Sequence, residues 1–111
     1  MNNIEVSKTD NNDGWIFEVI ISNGNSTTHK VTLTNEYYNH LGLTNIDPTK
    51  VVESSFKFLL EREPKEMILR NFDLKIISKY FSEYENRLSE YIWLFYKQLY
   101  CRLKYGKIRL S

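Results

Sequence analysis

The chain has 111 residues, of which 41% are hydrophobic and 26% charged. That is one domain's worth with an ordinary globular balance, which argues against global disorder. A single cysteine, Cys101, excludes an internal disulfide and fits a reducing compartment. The opening MNNIEVSK lacks the basic-then-apolar layout of a secretory signal, and no run approaches the ~18 apolar residues of a membrane span. The expected location is therefore the cytoplasm. The net charge of +1 hides a split: residues 1–90 sum to −4 and residues 91–111 to +5, with no acid in the latter.

Residues 3–7 read as a short strand, with Ile4 and Val6 on one face. Residues 8–14, KTDNNDG, read as a polar turn. The run WIFEVIIS, 15–22, is a strand that puts Trp15, Phe17, Val19 and Ile21 on one face and Ile16, Glu18, Ile20 and Ser22 on the other. Asn23-Gly24-Asn25 signals a hairpin turn. TTHKVTLT, 27–34, returns as a third strand, with Val31 and Leu33 facing one way and Lys30, Thr32 and Thr34 the other. The pattern is a three-stranded antiparallel meander with one buried face. Thr34 or Asn35 can then cap a short helix over 36–41, ended by Gly42.

The best-punctuated element is DPTKVVESSFKFLLEREP, 47–64. Asp47 can accept the free N–H groups at a helix start, and Pro48 suits the first helical position. Val52, Phe56, Leu59 and Leu60 recur at helical spacing, and Pro64 stops the run. The spacing predicts a helix over 48–63, about 24 Å long, laid with its apolar stripe on the strands. KEMILRNF reads as a helical turn with Met67, Ile68 and Leu69 inward. Asp73 can cap a helix over LKIISKYF, where Leu74, Ile77 and Tyr80 or Phe81 share a face. Ser82 with Glu85 three residues on forms a capping-box pattern for a last helix over 83–105. The expected fold class is α+β: a three-stranded antiparallel meander packed against a central helix, followed by short helices and a C-terminal helix. The expected domain division is a single domain over 1–85 and a basic, aromatic helical extension over 86–111.

The runs HKVTLTNEYYNHL, DPTKVVESSFKFLLEREPKEMIL and FDLKIISKYFSEYE resemble a small bacterial family of proteins with no assigned activity. The resemblance rests on Val31-Thr32-Leu33, on Ser55 to Leu69, on Phe72-Asp73-Leu74 and on Tyr80 to Glu85. It implies a β-hairpin followed by the central helix, and no functional residues. The chain departs from the family pattern at Ser82, where a proline is expected, and continues past Glu85.

Candidate chemistry is sparse. His29 and His40 have no partner at metal-ligand spacing and read as surface or cap histidines. Glu61, Glu63 and Glu66 read as a solvated helix end. Cys101 sits near Arg102 and Lys104, which favours thiolate, but a half-buried structural cysteine is the plainer reading. The four glycines are isolated, so no phosphate-cradling loop is present. Neither a catalytic centre, a metal nor a cofactor is expected. The expected role is a non-catalytic protein–protein interaction module, with an unknown protein or a second copy as partner. Tyr37, Tyr38, Tyr80 and Tyr84 are the candidate contact residues, on the expectation that they are partly exposed.

The alternative is a nucleic-acid binder, by either of two routes. KVTLT followed by two helices resembles the ribbon-helix-helix of antitoxin-type repressors, with Lys30, Thr32 and Thr34 outward as readers. Against it, the strand already has a hairpin partner, and Asp47 puts a negative charge where phosphate would approach. The second route is the tail, where Lys97, Arg102, Lys104, Lys107 and Arg109 interleave with aromatics as on a stacking and phosphate-binding surface. The same tail also suits a partner or self-packing helix through Ile92, Phe95, Leu99 and Leu103, an interfacial membrane helix, or an unselected extension.

Overall fold

A computed structural model describes residues 2–93 of the chain. The fold is α+β, built on one mixed four-stranded sheet of order β1-β2-β3-β4. Strands β1 (Asn3–Asn11), β2 (Gly14–Asn23) and β3 (Asn25–Thr34) form the antiparallel meander that the alternation predicts. Phe17, Val19 and Ile21 of β2 and Val31 and Leu33 of β3 are fully buried on one face. Glu18, Thr28 and Lys30 point outward.

The first strand is longer than its composition suggests. Lys8 to Asn11, expected as turn, continue the ladder opposite Phe17 to Gly14. An edge strand tolerates this, because its polar side chains stay in water while its backbone pairs on one side. All of Ser7 to Asn11 is exposed.

A fourth strand, β4 (Asn71–Asp73), is an addition to the expected meander. It pairs parallel to β3, with Lys30 opposite Asn71 and Thr32 opposite Asp73. Parallel neighbours need a long crossover. Here the crossover carries α1 (Asn35–Leu41), α2 (Pro48–Leu60) and a 3-10 turn at Lys65–Met67. The caps are those the sequence indicates. The Thr34 hydroxyl accepts from the Tyr37 N–H, Gly42 ends α1 at φ 70°, and the Asp47 carboxylate accepts from the Thr49 N–H at 2.8 Å.

Helix α2 ends at Leu60, three residues short of Glu63. Pro64 is extended (φ −69°, ψ 157°) and excludes helical geometry just before it. The last turn therefore tightens, and the Arg62 and Glu63 N–H groups both reach the Leu59 carbonyl at 2.9 Å. Arg62 folds back over this end. Its guanidinium carbon lies 3.7 Å from the Phe58 ring centroid, and Nη1 donates to the Phe58 carbonyl at 3.0 Å.

The central helix also buries more than one stripe. Val51, Ser55 and Phe58 are buried as well as Val52, Phe56 and Leu59. Phe56 meets His29 of β3 and Phe72 of β4, at centroid separations of 5.6 and 6.0 Å. Phe58 meets Phe81, Tyr84 and Tyr91 at 5.8, 5.3 and 6.0 Å. So α2 is a middle layer, with the sheet on one side and the C-terminal helices on the other.

After β4, Asp73 accepts from the Lys75 N–H and caps a 3-10 turn, Leu74–Ile76, which runs into α3 (Ile77–Tyr80). A fourth helix, α4, occupies 84–93. Tyr84, Leu88 and Ile92, spaced four apart, are all buried in the core. The helix runs across the 85/86 boundary expected from sequence, and Leu88 and Ile92 beyond it are buried. The capping box at Ser82 is not formed. Glu85 reaches α1 instead, where it accepts from the Tyr37 hydroxyl at 2.6 Å and lies 3.3 Å from His40 Nε2. The remainder of the expected C-terminal helix, with Phe95, Lys97, Leu99, Cys101, Arg102, Leu103, Lys104, Lys107 and Arg109, lies outside the described residues.

Candidate interaction groove

The end of α2, the segment 65–69 and α3 enclose an open groove of about 420 Å³. Leu59, Ile68, Phe72 and Ile77, all buried, form its floor. Ile76 and Phe81 flank it. Met67, Leu69 and Tyr80 form its rim and are 68%, 48% and 67% exposed. Glu63 supplies the single charge in the lining.

The rim arises from local backbone geometry. Met67 and Leu69 are expected inward on a helical turn, but only Ile68 is buried. The turn ends at Met67, and Ile68 is already extended (φ −80°, ψ 135°). In extended chain successive side chains alternate. Ile68 therefore enters the core and Leu69 leaves it. Tyr80 sits at the last position of α3 and points out, while Ile77, one turn earlier, points in.

Of the four tyrosines expected to be partly exposed, Tyr80 alone is freely accessible. Tyr84 is fully buried, and its hydroxyl is 2.6 Å from Ser55 Oγ. Ser55 donates to the Val51 carbonyl at 2.7 Å, so Tyr84 donates to Ser55. Burial holds the Tyr84 phenol well above its ordinary range. Tyr37 is 7% exposed; burial first, and then the hydrogen bond to Glu85, push its phenol up in the same way. Tyr38 is half-buried, edge-on to Trp15 at 5.1 Å, with its hydroxyl donating to the Thr44 and Ile46 carbonyls. An aromatic near a helix end is exposed only if no other element covers it: Glu85 of α4 lies over Tyr37, and α2 covers Tyr84 through Ser55 and Phe58.

His29, expected at the surface, is fully buried on the inner face of β3. The signal was present: if Val31 and Leu33 face inward, period two carries Thr27 and His29 inward too. Nδ1 lies 2.8 Å from the Leu69 carbonyl and Nε2 2.8 Å from Thr27 Oγ1. A carbonyl only accepts, so Nδ1 carries the proton and Nε2 accepts from the threonine. Burial lowers the His29 pKa below 6.5, the Leu69 carbonyl opposes that, and Arg70 adds to it. The ring thus ties β3 to the backbone of a groove-rim residue. His40 is exposed, next to Glu85. Neither histidine lines the groove. Among the described residues, no group of three His, Cys, Asp or Glu side chains could hold a metal ion.

The outward residues of β3 sit in a mixed environment. Lys30 lies opposite Glu18, and Thr32 opposite Ile16 on one side and Asp73 on the other. β3 is an interior strand, flanked by β2 and, over Lys30 to Thr32, by β4. The Asp47 carboxylate occupies the start of α2. Among the described residues, no helix is long and apolar enough to cross a membrane. No family model, curated protein or solved structure matches the chain.

Proposed function

We propose that this protein is a non-catalytic protein–protein interaction module, whose groove receives apolar side chains of a partner polypeptide. One observation carries the reading. Four large hydrophobic side chains are exposed among the described residues, and three of them, Met67, Leu69 and Tyr80, line the same groove. Scattered exposed apolar residues are ordinary, whereas a cluster around a concave floor is how binding sites are built. Methionine adapts its shape to what it meets, and tyrosine brings a large rigid surface at little entropic cost. The lone cysteine supports a reducing compartment, the bacterial cytoplasm, as the setting.

The test selects peptides from a random display library on the full chain, then measures the enriched peptides against Met67→Ser and Tyr80→Ala. Losing one buried apolar contact of this size costs about 1.5 kcal/mol or more, so each variant should weaken binding roughly tenfold. Affinity should change little between about 50 mM and about 200 mM salt, the range over which phosphate binding collapses. Peptides that bind both variants as well as the wild type would remove the groove from the function. Steeply salt-dependent binding of duplex or single-stranded nucleic acid by the full chain would favour the alternative.

A further inference from the structure

Glu63 is the unbalanced charge of the groove. It is half-buried, three residues past the end of α2, and its carboxylate has no hydrogen bond or ion pair among the described residues. The nearest cations in sequence are committed elsewhere. Arg62 pairs with Glu83 at 3.1 Å and approaches Glu61 at 3.8 Å, while Lys65 pairs with Glu66 at 3.1 Å. All the other residues of the lining are uncharged, and most are apolar. A carboxylate in such a wall loses hydration when an apolar ligand covers it; a hydrogen-bond donor on the ligand restores part of what is lost, and a cationic donor restores most.

We propose that the occupant of the groove is a polypeptide segment that presents a lysine or arginine next to an apolar anchor. The cation pairs with Glu63, and the anchor packs between Met67, Leu69 and Tyr80. The exposed ring of Tyr80 offers the same cation a second favourable surface. The volume suits a few side chains, not a folded domain. This inference rests on the groove reading and adds the chemistry of its ligand.

The probes are n-hexylammonium, 1-hexanol and hexanoate, titrated into the full chain and followed by amide NMR shifts across residues 63–81. Hexylammonium should bind about two- to fivefold more tightly than hexanol, the range for a partly exposed ion pair, and hexanoate most weakly. In Glu63→Gln the ratio of ammonium to alcohol should fall to about one, and in Glu63→Lys the order of ammonium and carboxylate should reverse. Equal binding of all three probes by the wild type would overturn the cation and leave the groove standing. Preference for hexanoate would assign an acidic partner instead. No shift with any probe would overturn both. A concentration-dependent dimer that hexylammonium disperses would give the groove to a second copy of the chain, and would overturn the proposal as well.

Discussion

His29 enters the folded protein as a neutral ring, because its charged form would sit in the core between Phe56 and the inner face of the sheet. Its folded pKa lies below the ordinary 6.5. The unfolded chain therefore binds the extra proton first as pH falls. Between the folded value and 6.5 the unfolded state holds more protons than the native one, so stability rises with pH in that window. The stabilisation is complete above 6.5, declines as pH drops below it, and stops declining once the folded ring is protonated. Urea unfolding at a series of pH values should show this slope, and His29→Gln should flatten it. Ring NMR of the native protein provides a check that does not depend on the variant folding. If the His29 ring titrates at or above 6.5, the neutral buried ring is wrong. Reading this residue from sequence required extending a strand's alternation by two positions; its hydrogen bond to Leu69, 40 residues away, has no local signature.

At the scale of elements, the legible features were those set within a few residues. Caps at Thr34 and Asp47, the Gly42 stop and the alternation of β2 are short-range chemistry, and they match. The features that were not legible depend on a partner from elsewhere in the chain. Three residues of β4 carry no pattern of their own and become a strand because β3 offers a free edge. The second buried face of α2, with Ser55 and Phe58, exists because α4 lies against it. The groove rim depends on where the 3-10 turn stops, a boundary of one residue. The β1–β2 hairpin gives a prediction at this scale. Gly14 has φ 151°, and a Cβ there would lie 2.2 Å from the Leu33 carbonyl oxygen and 2.8 Å from Thr34 Cα. The close approach arises where the start of α1 crosses the turn, with the Asn35 N–H donating to the Asp13 carbonyl at 2.6 Å. Both obstacles are backbone and cannot swing aside. Gly14→Ala should cost about 2–4 kcal/mol from overpacking and strain together. Gly24, at φ 84° with nothing within 4 Å of its Cβ position, meets no obstacle, and Gly24→Ala should cost about 1 kcal/mol from backbone conformation alone. Similar shifts in the two denaturation midpoints would contradict the close contact at Gly14.

The molecule as a whole is closed by α4. This helix bonds to α1 through Glu85, which meets Tyr37 and His40, to α2 through Tyr84 on Ser55, and to the residue just past the end of α2 through Tyr91 on Glu61; Glu83, just before α4, accepts from Arg62 beside it. Its buried face, Tyr84, Leu88 and Ile92, completes the layer over α2. The charge change near residue 91 marks a boundary in composition, and it lies inside a packed helix, because composition reports on surface residues and packing on the stripe between them. If α4 belongs to the core, removing its largest buried side chain should weaken every element at once. Tyr84→Ala deletes a fully buried ring and should cost about 3–5 kcal/mol, a large share of the roughly 5–15 kcal/mol that holds a domain of this size. Tyr84→Phe keeps the ring and loses one hydrogen bond; Ser55 still donates to Val51, so the cost should be about 1 kcal/mol. Unfolding followed by far-UV and near-UV circular dichroism should give coincident transitions for both variants, displaced by these different amounts. A Tyr84→Ala protein that lost only the helical signal of 84–93, with sheet and remaining aromatic packing unfolding at the wild-type midpoint, would make the helix a separable appendage. The shared contacts with α1 and α2 would then be too weak to couple it, and the division at residue 85 would stand as a thermodynamic boundary after all.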